Sequence, residues 1–95
     1  MSKERIERIR ACLEAAFHPN VLEIHDESHM HVGHVGARSG KGHFRVHITC
    51  SQFQGVPLKR RHQMVYEALD ELMKTDIHAL SLIADLPDSS SAQRN

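Results

Sequence analysis

No stretch of the 95-residue sequence approaches the roughly 20 consecutive apolar residues that a membrane-spanning helix needs. The opening residues, MSKERIERIR, are rich in charge and lack the apolar core of a secretory signal. Together these absences lead to the expectation of a cytoplasmic protein. Cysteine is scarce, since Cys12 and Cys50 stand far apart and form no CxxC, which argues against a zinc ribbon or a thioredoxin-like redox pair. Two buried thiols are expected instead. Net charge is missing too: twelve basic and twelve acidic residues cancel. The broad positive field that drives non-specific nucleic-acid binding is therefore absent, and any such binding must come from a local patch.

What is abundant is histidine, with nine residues. Neutral imidazole is a common metal ligand and its ordinary pKa of about 6.5 lies close to neutrality, so the composition points toward metal binding. The length fits one domain, because two halves of this size would bury too little apolar surface to offset chain entropy. A domain over residues 1–85 is expected, with LPDSSSAQRN at 86–95 as a disordered tail.

Residues 3–17 place Ile6, Ile9, Leu13 and Phe17 on one helical stripe that Pro19 ends. VLEIH at 21–25 and HFRVHIT at 43–49 alternate apolar and polar residues, as strands with one buried side do. Between them, residues 27–42 hold four glycines and no apolar periodicity, a connection longer than a hairpin requires. After a turn at Gly55 and Pro57, the spacing of Leu58, Val65, Leu69 and Leu72 predicts one main helix over 58–74, with His62 on the same stripe. HALSLIA at 78–84 reads as a third strand. The expected fold is therefore α+β, in the order α-β-β-α-β. A right-handed crossover makes the second and third strands parallel and the first antiparallel to the second, giving a three-stranded mixed sheet with both helices on one face.

Several motifs fail on inspection. GARSGKG at 36–42 is one residue too short between its glycines for a phosphate-binding loop, has no Ser or Thr after Lys41, and precedes a strand where a helix should start. GHVG at 33–36 matches the GXXG of KH domains but joins strands, not helices. No Ser or Cys sits on a recognisable nucleophile elbow, so no reaction class is indicated and the chain reads as a binding protein. The segment SHMHVGH is more informative, because His29, His31 and His34 can turn imidazoles toward one ion; a solvated loop is the competing reading. His43 and His47 fall on the polar side of their strand and read as surface residues. Lys59, Arg60 and Arg61 crowd the first turn of the main helix, where the helix dipole disfavours cations. An anionic partner would reverse that cost; a salt-screened charge run is the plainer account.

Taken together, DESH at 26–29, GHFRVHI at 42–48, FQGVPLKRRHQMVYEAL at 53–69 and HAL at 78–80 resemble the BolA family over nearly all of the expected ordered chain. The resemblance implies a class II KH-like fold and a non-enzymatic partner of monothiol glutaredoxins. It further implies a shared two-iron two-sulfur cluster, with the glutaredoxin cysteine and glutathione supplying thiolates and this chain supplying imidazoles. The ligand positions implied are His78 and His31, with His29 and His34 as alternates. Some relatives use cysteine in that loop, so this chain resembles the histidine-type branch. Gln63 departs from the family's usual R-H-R, which reads R-H-Q here. The same resemblance implies a second role, a DNA-binding regulator of stress response and cell morphology docking through Lys59, Arg60 and Arg61. It leaves open a weak homodimer of the free protein, and His29, His31 and His34 alone leave open capture of zinc or another divalent metal.

Overall fold

The computed structural model describes residues 2–28 and 41–87. Helix α1 (Ser2–Phe17) buries Ile9 and Leu13 completely and Phe17 nearly so, with Ile6 packed beside them. It stops where His18 turns into the left-handed region at φ 48°, its N–H still bonding the Glu14 carbonyl at 3.0 Å. The helix therefore ends at Phe17, where the expected span of 3–17 has it, just ahead of Pro19, which cannot continue a helix.

Three strands follow the predicted order: β1 (Val21–Asp26), β2 (Gly42–Thr49) and β3 (Ile77–Asp85). The sheet order is β1-β2-β3, antiparallel between β1 and β2 and parallel between β2 and β3. Ile24 opposes Val46, and Phe44, Val46 and Ile48 oppose Leu80, Leu82 and Ala84. These residues form the face on which the helices pack, and Phe53 joins their core by tilting against Phe17 with ring centroids 5.5 Å apart. The opposite face carries Glu23 and His25 from β1, His43, Arg45 and His47 from β2, and Ala79, Ser81 and Ile83 from β3. Among the described residues no element covers it.

Between β2 and β3 run a single 3-10 turn (Ser51–Phe53), helix α2 (Leu58–Ala68) and helix α3 (Asp70–Thr75). Gly55 supplies the turn with φ 72°, a conformation that favours glycine. The single helix expected over 58–74 is in fact two. The break lies at Leu69, whose φ of −98° and ψ of 11° leave helical geometry. Periodicity could not reveal it, because the i→i−4 bonds Leu69 N–H to Val65 C=O and Met73 N–H to Leu69 C=O persist across the break. Leu69 also remains fully buried.

At the junction of α3 and β3, Asp76 is 7% exposed and its carboxylate accepts from Arg8 at 2.6 Å and pairs with Arg5 at 3.3 Å. The Thr75 hydroxyl and then Arg8 hold this carboxyl below the ordinary aspartate range, against the opposing effect of burial. Asp76 thus ties α1 to the start of β3.

Candidate ligand site at the end of the sheet

Strand β3 begins with an irregularity. Ile77 pairs with Gly42 and Ala79 pairs with His43, leaving His78 as the extra residue of β3. His78 is exposed there, and its ring lies against that of His43, with centroids 5.2 Å apart and planes inclined by 54°. Because β2 and β3 are parallel and start together, residues 35 positions apart in sequence become neighbours.

The backbone around His43 is held from β1. The Glu27 N–H donates to the His43 carbonyl at 2.8 Å, and the His43 N–H donates to Ser28 Oγ at 3.0 Å. Ser28 is itself anchored by its N–H to Asp26 Oδ1 at 2.8 Å. Arg45 Nε donates to Glu27 Oε2 at 2.9 Å on the open face of the sheet. On the other side, the Gly42 N–H donates to the Asp76 carbonyl at 2.9 Å, which binds the start of β2 to the start of β3. Glycine is required at 42, because a Cβ there would meet the Phe44 ring at 2.7 and 2.9 Å and Ser28 Oγ at 2.9 Å.

Of the residues singled out from sequence, His78 is therefore displayed at this end of the sheet, whereas His29, His31 and His34 lie outside the described residues. His43 was read as a surface residue and is instead half-buried, with its ring on His78. The parallel register of two strands that begin together was the available signal for it. His25 is exposed and His62 half-buried, outside the apolar core. His47 sits near two carboxylates, Glu23 and Asp85, each at 3.8 Å.

Thiolate chemistry is absent from this end. Cys50 directly follows the far end of β2, roughly 23 Å from His43 at strand rise. It is fully buried, and burial pushes its thiol above the ordinary cysteine range. Cys12 is half-buried on α1 and packs against the core. Among the described residues no group of three or more His, Cys, Asp or Glu converges as a metal site.

The basic turn is less available than its sequence suggests. Arg61 donates from Nε to the Val56 carbonyl at 2.8 Å and from Nη1 to the Ala84 carbonyl at 3.0 Å, tying α2 to the preceding turn and to the end of β3. Arg60 reaches Glu67 at 3.3 Å and Gln63 at 3.4 Å along its own helix. Lys59 is exposed.

A mixed three-stranded sheet in the order α-β-β-α-β, with its helices on one face, is a KH-like fold. The family profile described as BolA-like protein matches residues 13–89, and the chain belongs to the BolA family. It is 39% identical over 85 residues to SufE-like protein 1, chloroplastic/mitochondrial, of Arabidopsis thaliana, covering 84% of this chain and 23% of that protein. It is 35% identical over 94 residues to Protein BOLA1, chloroplastic, of the same plant, covering 96% and 59%. The DNA-binding transcriptional regulator BolA of Escherichia coli is 42% identical over 76 residues, covering 80% and 70%. The solved BolA domain of SufE1 from Arabidopsis thaliana superposes with a TM-score of 0.77 at 37% identity, covering 90% of this chain and 94% of that one. The chain thus spans 23% and 59% of the two plant proteins.

Membership of this family makes the chain a non-enzymatic protein. The expectation of a cytoplasmic protein is overturned, because the two plant relatives are named as chloroplastic or chloroplastic/mitochondrial. The reasoning failed because organelle-addressing segments are amphipathic and Arg-rich, so the lack of an apolar start bears only on the secretory route. No helix of the described residues is long and apolar enough to cross a membrane.

Proposed function

We propose that the chain is an iron-sulfur adapter, which pairs with a monothiol glutaredoxin and takes up, transfers or senses a two-iron cluster carried between them. His78 is the first imidazole ligand. His31 is the second, with His29 and His34 as alternates on the same segment and His43 adjacent to the first. The observation that supports this reading is the exposed His78 ring at the strand irregularity at the start of β3. The donor set fits a shared cluster: imidazoles come from this chain, while Cys50 is buried far away, so thiolates come from glutaredoxin and glutathione. Mixed histidine and cysteine ligation of two-iron clusters is established chemistry in Rieske centres.

The test is reconstitution with a monothiol glutaredoxin, iron, sulfide and glutathione, followed by visible absorption and circular dichroism. The mixture should give a spectrum distinct from that of glutaredoxin alone, and His78→Ala should abolish the difference. A His78→Ala spectrum identical to wild type would remove His78 from the ligand set.

A second reading, DNA binding, is favoured by the name of the Escherichia coli relative and by Lys59 and Arg60 at the start of α2, a turn with no acidic residue. Phosphate contacts must weaken steeply with salt. DNA titrations at two salt concentrations should show that slope reduced in a Lys59→Ala/Arg60→Ala variant. Arg61 is left intact because it holds the end of β3. Affinity unchanged by both salt and the double variant would exclude this turn as the DNA site.

A further inference from the structure

We infer that Ser28 is a positioning residue, whose hydroxyl holds His43 against His78 by accepting the His43 N–H. This rests on the adapter reading for its use and on the local geometry for its existence. In an antiparallel ladder every second opposed pair exchanges both N–H···O=C bonds. Glu27 and His43 stand in that relation just beyond the last paired residues, Asp26 and Phe44. One bond is present, from the Glu27 N–H to the His43 carbonyl at 2.8 Å. The His43 N–H, which an unbroken ladder would send to the Glu27 carbonyl, goes to Ser28 Oγ at 3.0 Å. A side chain has thus taken over the last rung, and the chain is released from strand pairing one residue early without loosening His43.

The hydroxyl is itself held in place. The Ser28 N–H bonds Asp26 Oδ1 at 2.8 Å, as in an Asx turn. Gly42 leaves the space the hydroxyl occupies, since a Cβ at 42 would approach it to 2.9 Å. The Gly42 N–H in turn bonds the carbonyl of Asp76, two residues before His78. The backbones under both imidazoles are therefore joined by one continuous set of bonds running Asp26, Ser28, His43, Gly42, Asp76. A ligating side chain such as His78 needs placement within about half an ångström, which its own rotamers cannot supply without a supporting neighbour such as the His43 ring.

Ser28→Ala and Ser28→Thr provide the test, with amide exchange of His43 followed by NMR in the free protein and cluster loss to a chelator followed in the glutaredoxin complex. Ser28→Ala should speed His43 exchange roughly fivefold, the value of one ordinary hydrogen bond, and speed cluster loss by a similar factor. Ser28→Thr keeps the hydroxyl and should restore both. Unchanged His43 exchange in Ser28→Ala would overturn the hydrogen-bond role, and faster exchange with unchanged cluster loss would overturn the positioning role. If His78→Ala leaves the wild-type complex spectrum unchanged, His78 leaves the ligand set and the positioning role falls with it, while the exchange rate alone still decides whether Ser28 holds His43.

Discussion

Phe44, Val46 and Ile48 on one face of β2 are 2%, 0% and 0% exposed, whereas the interleaved His43, Arg45 and His47 lie on the face that no described helix covers. The two sets share one backbone, and a single residue step separates apolar core from polar display. Phe44 lies under the helices while its neighbour His43 touches His78. Residues that supply stability therefore also set the direction of residues that present ligands. The contrast makes a quantitative claim: changes on the covered face should unfold the protein, and changes on the open face should spare the fold.

The largest effect is expected from Phe44→Ala. Phe44 belongs to the buried core and its ring also forms the wall that requires glycine at 42. Removing a buried phenyl ring costs about 3–5 kcal/mol through lost burial and the cavity left behind. Urea unfolding should show that loss together with loss of the His43–His78 ring contact in NMR spectra. A cost below about 1 kcal/mol would mean that the covered face is not the frame of the site.

Asp76→Asn should have an intermediate effect, about 1–2 kcal/mol at neutral pH, because charge-assisted bonds from Arg8, whose side chain is 50% exposed, are partly screened by water. Its pH dependence follows from the lowered carboxyl pKa in the folded state. An aspartate is ordinarily protonated near pH 3.9 when unfolded, so the stabilisation is complete above that value and is lost as pH falls through the lower folded value. Urea midpoints of wild type and Asp76→Asn should differ at pH 7 and converge as pH is taken down through and below 4. A gap that persists at acid pH would assign the effect to packing instead of charge.

The covered face was readable in sequence and the site only in part, for physical reasons. Alternation in HFRVHIT and the stripe Ile9, Leu13, Phe17 follow from the periods of strand and helix, and the parallel arrangement of β2 and β3 follows from crossover handedness. The break at Leu69 leaves the hydrogen-bond period intact and so leaves no trace in the pattern. His43 became significant only through its register with β3, a long-range property that no local window contains. Arg61 shows a structural tie that the sequence did not reveal. A charge in a basic run looked like a docking group, but its guanidinium bonds two backbone carbonyls, one of them 23 residues away. The ligand candidates His29, His31 and His34 rest on sequence alone, being outside the described residues.

The smallest stability effect, and the sharpest check on the contrast between faces, belongs to His78→Ala. His78 is exposed and the interaction to be lost is its tilted ring contact with His43, so unfolding free energy should stay within about 0.5 kcal/mol of wild type. Stability and function should then separate cleanly: an unchanged urea midpoint beside a lost difference spectrum in the glutaredoxin mixture. A destabilisation above about 1 kcal/mol would place His78 among the residues that hold β2 to β3, since aromatic pairs reach that size when they serve as packing contacts. The bulge at the start of β3 would then be explained by local packing, and an exposed imidazole would no longer need a ligand to account for it.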